Sequence, residues 1–163
     1  MSDGRFNFGE LYRRHLCRHS EWGINVWHLV AVIGIYLALL ALVRLLPGAV
    51  WLIGAGSAIY LGLLAVTVPP RVWMACVAVV AALAATAFLL PESPWWLPPI
   101  VFVALHRFQV WQHRMYSRSY DMTEFAGKYR KGPKLALLLA VYELPILLNY
   151  LLFADASARV PQT

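Results

Sequence analysis

Between Gly23 and Phe153 the chain runs as five apolar stretches separated by breaks rich in proline or charge. A helix needs about 20 predominantly apolar residues to cross the hydrocarbon of a bilayer, and these stretches meet or approach that length. They cover 23–46, closed by Pro47-Gly48; 49–68, closed by Pro69-Pro70; 72–90, closed by Pro91-Glu92-Ser93-Pro94; 97–115; and 133–153. In lipid every backbone polar group must be satisfied within the protein, so such segments fold as helices. The expectation is an all-α, polytopic membrane bundle of about five transmembrane helices. Composition agrees: 61% of the residues are hydrophobic and 13% charged, with a mean hydropathy of +0.61, which excludes an ordinary soluble domain.

The net charge of +6 could suggest nucleic acid, but the basic residues sit between apolar runs, where a topology signal belongs. Arg5, Arg13, Arg14 and Arg18 precede the first stretch, and Arg71 follows the second. Arg107, Arg114 and Arg118 end the fourth, and Lys128, Arg130, Lys131 and Lys134 lead into the fifth. With a cytoplasmic N-terminus all of these fall on the inner side, leaving Arg44, Glu92, Asp155 and Arg159 outside. The expected organisation is a cytoplasmic or interfacial N-terminal helix over 1–22, a bundle over 23–154 with an interfacial segment near 117–131, and a tail over 155–163. A bacterial inner membrane and the endoplasmic reticulum fit equally well. Cys17 and Cys76, the only cysteines, form no CxxC motif. Gly54-Ala55-Gly56-Ser57-Ala58 would permit close helix contacts, including those of a homo-oligomer.

This topology gathers all five histidines on one side. His15 and His19 precede the first stretch and His28 lies just inside it; His106 and His113 lie near the end of the fourth. His15 and His19 are spaced i, i+4, which brings both rings to one face if a helix carries them. His106 and His113 are spaced i, i+7, which also returns to one face, about 10 Å apart. Neutral imidazole is the commonest protein metal ligand, so a metal site drawn from His15, His19, His28, His106 and His113 is expected. The bland alternative is helix-to-helix bracing through the rings.

Other polar groups reach the same depth. Asn25, three residues before His28, is expected to orient that ring from outside the ligand set. Gln109 is expected in a similar role. Glu143, about ten residues into the fifth stretch, is a functional candidate as an intramembrane carboxylate, either as base, as ligand or as partner to Arg107. Arg114 and Tyr12 are candidates for contacting substrate. The remaining Lys128–Lys134 charges read as topology and anionic-lipid contacts.

Two short patterns resemble the membrane 2-hydroxy fatty acid dioxygenase family. Tyr12, His15, His19, Asn25, Val26 and His28 are similar to its N-terminal Tyr-His-Asn-His series. Phe108-Gln109-Val110-Trp111-Gln112-His113 resembles its Phe-Gln-x-x-x-His pattern. The chain differs at Gln112, where that family has glycine, and at Ser117, where it has glutamate. The resemblance implies a histidine-bound ferrous ion (Fe2+) and oxidation of a lipid-like substrate with O2. Histidine-rich sites also suit zinc or copper. Rival readings are a haem-binding electron-transfer protein with two axial histidines and a non-enzymatic lipid-binding protein. No nucleic-acid partner is expected.

Overall fold

A computed structural model describes residues 7–116, 123–126, 129–130 and 132–154. The regular elements among them are all helical: α1 (Phe8–Leu16), α2 (Trp22–Arg44), α3 (Ala49–Ala65), α4 (Pro70–Leu89), α5 (Leu97–Met115), α6 (Thr123–Ala126), α7 (Pro133–Leu148) and a π-helical end, Asn149–Phe153. Three helices are long and apolar enough to cross a membrane: Trp22–Arg44, Pro70–Leu89 and Pro133–Phe153. α3 is apolar but has only 17 residues, about 25 Å of rise. α5 turns polar from His106 onward. Trp51, Ile59, Val66, Leu89 and Trp95 are 74–84% exposed, an outward apolar surface suited to lipid.

The N-terminal helix is shorter than expected. Asn7 caps α1, its Oδ1 accepting the Glu10 amide at 3.2 Å. Phe8, Leu11, Tyr12, His15 and Leu16 recur at helical spacing and bury one face. Phe8, Leu11, Tyr12 and Leu16 join the core cluster that includes Leu144, Leu147 and Tyr150. α1 ends at Leu16, so His19 lies in the connection to α2 and not on a helix with His15. Of the interfacial segment near 117–131, only the Thr123–Ala126 turn is described as helix; 117–122, 127–128 and 131 lie outside the described residues. Arg5, Arg118, Lys128, Lys131, Asp155, Arg159 and the tail also lie outside them.

α2 and α5 form the most extensively packed pair. A Cβ on Gly23 would fall 2.5 Å from the Tyr116 hydroxyl, and one on Gly34 would fall 2.5 Å from Leu105 Cδ1. The second contact lies eleven residues further along α2 and eleven back along α5, so the two helices run antiparallel in one fixed register. That register brings His28 and His113 to within a turn of the same level.

Pro145 interrupts α7. It has no N–H to give the carbonyl four residues back, and the Tyr60 hydroxyl donates to that carbonyl, Val141 O, at 3.0 Å. The Tyr36 hydroxyl donates to the neighbouring Ala140 O, also at 3.0 Å. Beyond the proline, the Tyr150 hydroxyl donates to Ser20 O at 2.7 Å. The end of the chain's last long helix thereby grips the connection that carries His19.

Candidate metal centre

The tautomers of two histidines follow from their hydrogen bonds. His28 Nδ1 lies 3.1 Å from Ile24 O, and His19 Nδ1 lies 3.3 Å from His15 O. A carbonyl only accepts, so each Nδ1 is the donor and each Nε2 keeps a lone pair. These two Nε2 atoms face each other at 3.2 Å. With no proton between them the contact is repulsive until a cation occupies it. His113 completes the group, its ring centroid 4.7 Å from His19 and 5.2 Å from His28. One ligand nitrogen from each of the three lies within 4.8 Å of the others.

A proton is one cation that could sit there. Burial, then the neighbouring His15, His28 and His113, hold the His19 imidazole well below its ordinary pKa, so at neutral pH the ring is neutral. A metal ion suits the geometry. Two nitrogens at metal–nitrogen distances of about 2.0–2.1 Å, set at a tetrahedral angle, are about 3.3 Å apart, close to the 3.2 Å between His19 and His28. The donor set and its spacing therefore fit an ion.

His15 stands beside the three. Its ring stacks on His19 with centroids 4.0 Å apart and planes 6° from parallel. Its Nε2 donates to Asn25 Oδ1 at 3.0 Å. The orientation of the Asn25 amide is set because its Nδ2 donates to His19 O at 2.6 Å and Glu21 O at 2.9 Å. Asn25 thus orients His15 and pins the connection carrying His19, rather than orienting His28 as expected. The His28 ring is held by its own helix through Ile24 O, because a carbonyl four residues back lies within reach of Nδ1 in an α-helix. Burial holds the His15 imidazole down at about 3, so it is neutral and rigidly placed.

These rings form one wall of a cavity of about 420 Å3. His106 lines the same cavity but stands outside the three-nitrogen group, two turns along α5 from His113. Glu143 and Gln109 also line it, and Gln109 Nε2 donates to Glu143 Oε1 at 3.2 Å. Gln112 is buried beside the His28 ring. Val32, Ile35, Leu39, Phe102, Val110 and Leu139 give the cavity an apolar lining as well.

The two expected substrate contacts lie elsewhere. Arg114 is exposed and does not line the cavity, and Tyr12 is buried in the α1 core face. Arg14 and Arg18, which the charge pattern had assigned to topology, do line it. A signal for Arg14 was present in the sequence. It precedes His15 on a face that also carries Leu11, unlike the exposed Arg13. Tyr150 gave no such signal, since its bond to Ser20 spans 130 residues.

Comparison with known proteins returned no matching family model, no matching curated protein and no matching solved structure.

Proposed function

We propose that this chain is a multi-pass membrane metalloenzyme in which His19, His28 and His113 hold an ion, iron first, for the oxidation of a lipid-like substrate with O2. The observation that carries this reading is the convergence of tautomer-fixed Nε2 atoms on the wall of a cavity lined by both polar and apolar side chains. Three protein ligands with positions left open to a cavity suit a reactive ion rather than a closed structural one. When bound, iron supplies O2 activation and Lewis-acid polarisation of a substrate oxygen. Zinc or copper would use the same nitrogens.

The chain's own residues supply position and proton handling. Asn25 and His15 fix the connection that presents His19. Glu143, steadied by Gln109, is the base on the cavity wall. The apolar side chains of α2, α5 and α7 receive the substrate's tail and keep water from it. All five apolar helices cross the membrane in this reading, with the N-terminus and the histidines at the cytoplasmic side. Haem ligation by two axial imidazoles is less well supported. It requires two rings on opposite faces of a planar macrocycle that fills the space between them, and the His19 and His28 Nε2 atoms face each other directly at 3.2 Å.

The test is metal analysis by mass spectrometry on protein purified in detergent without oxygen, beside His28→Ala and His113→Ala. Near-stoichiometric iron, lost in both variants, is the expected result, to be followed by O2 uptake with 2-hydroxy acids. Zinc with the same dependence would redirect the chemistry to hydrolysis. No metal, even after reconstitution, would overturn the metalloenzyme reading and favour a lipid-binding or helix-bracing protein.

A further inference from the structure

Arg14 is an unusual residue to find where it lies. Only 7% of it is exposed, and its Nε has no hydrogen-bond partner among the described residues. Its guanidinium carbon stands 5.8 Å from the centroid of the Tyr129 ring, a cation–π contact that offers polarisable surface but no negative charge. Among the described residues the carboxylate on the wall of its cavity is that of Glu143, which is bonded to Gln109. Arg18, one turn further along the chain, lines the same cavity and adds a second positive charge. Burying a guanidinium is costly unless it is paired, and this one is kept against a cavity.

The cavity has both polar and apolar lining. Arg14, Arg18 and His28 line it with Ile35 and Leu39, which follow His28 by about two and three turns of α2. Its volume of about 420 Å3 is in the range of small-molecule sites. Tyr36, Leu39 and Ala140 also line a second cavity of about 410 Å3, which is almost wholly apolar. A ligand matched to this arrangement carries an anionic group at one end and a long apolar tail at the other.

We propose that Arg14, assisted by Arg18, is the group that selects an anionic headgroup, a carboxylate or a phosphate monoester, on the amphiphile entering this cavity. The planar guanidinium presents paired N–H donors that match either anion. The adjacent cavity lined by Tyr36 takes the tail. The proposal rests on the reading of the cavity as a substrate site, and it does not require the ion.

Binding of dodecanoate, dodecyl phosphate and dodecanol to the full chain in a neutral detergent tests it. The protein is first stripped with a chelator, so that no metal contributes to anion binding. The expected result is that one or both anions bind roughly ten- to a hundredfold more tightly than the alcohol. Arg14→Gln abolishes that preference and leaves dodecanol binding in place, while Arg14→Lys retains part of it. Which anion binds more tightly identifies the headgroup. Equal affinity for all three probes overturns the proposal, as does a preference that survives Arg14→Gln in folded protein. Displacement of dodecyl phosphate by inorganic phosphate at similar concentration would also overturn it, because the site would then recognise a free anion. If Arg14→Gln does not fold, Arg18→Gln, at an exposed position, must reduce the preference. Metal content measured in parallel separates the two ideas. Metal without anion preference sinks this inference alone; anion preference without metal sinks the metalloenzyme reading alone.

Discussion

A histidine whose Nδ1 is bound to a carbonyl has only its Nε2 lone pair left to offer, and His19 and His28 offer theirs at one point. Replacing His19, His28 or His113 by alanine is therefore expected to reduce bound metal to background. His15→Phe keeps a ring to stack on His19 but loses the bond to Asn25, and should weaken metal binding by about 10–100-fold without abolishing it. Competition with a coloured chelator separates these two outcomes. His15 also sets a pH dependence. Its pKa is about 3 in the folded chain against 6.5 ordinarily, so between these values the unfolded chain binds the extra proton. Stability of the metal-free protein is complete above pH about 6.5 and falls as the pH drops towards 3, by up to about 1.4 kcal/mol per pH unit from this residue. Unfolding curves in detergent between pH about 7.5 and about 5 check the slope, which His15→Gln should flatten. At this scale the sequence was informative wherever chain direction decided the outcome. Alternating helices put His19, His28 and His113 on one side before any chemistry was considered. It was uninformative wherever a choice lay between neighbours. Asn25 is three residues from His28 but serves His15, because the turn after Leu16 brings the His15 ring beside Asn25.

The helices themselves were largely legible, since proline and glycine punctuate them and each apolar run could bury its backbone in no other way. The breaks within helices were not. Nothing local marks the end of α1 before His19, or the π-helical end of the last long helix, where the Tyr150 hydroxyl reaches Ser20 O. The Pro145 interruption could be read, but not what compensates it. Tyr60→Phe should cost about 0.6–1.7 kcal/mol, the range for a hydrogen bond within a membrane bundle, because Val141 O loses its donor. Pro145→Ala should erase that cost, since residue 145 could then donate to Val141 O itself. A double-mutant cycle of unfolding free energies decides it, and an unchanged Tyr60→Phe cost in the Pro145→Ala background would refute the pairing. The α2–α5 contact makes a second prediction. Gly34→Leu drives a side chain into Leu105 and should lower metal affinity by shifting His28 away from His113. Gly34→Ala with Leu105→Ala, which clears the space, should retain it.

For the whole molecule, the charge pattern and the five apolar helices make a topology that labelling can check. Cys17 and Cys76 are buried, so a cysteine introduced at Ser93 or Gly132 gives a clean signal. Ser93→Cys should react with an impermeant maleimide on intact cells, and Gly132→Cys only after permeabilisation. Labelling of both from the same side would exclude the five-span arrangement. The distribution of the three histidines along the chain has a consequence for biogenesis. His113 follows His19 by ninety-four positions, and the group needs α5 lying antiparallel against α2. While the ribosome is still making the first four helices, the nascent chain holds two of the three imidazoles and cannot capture the ion in its final geometry. On the proposed reading, loading is a late event, after insertion of α5, and a cell starved of the ion would accumulate fully inserted, unloaded protein rather than an arrested precursor.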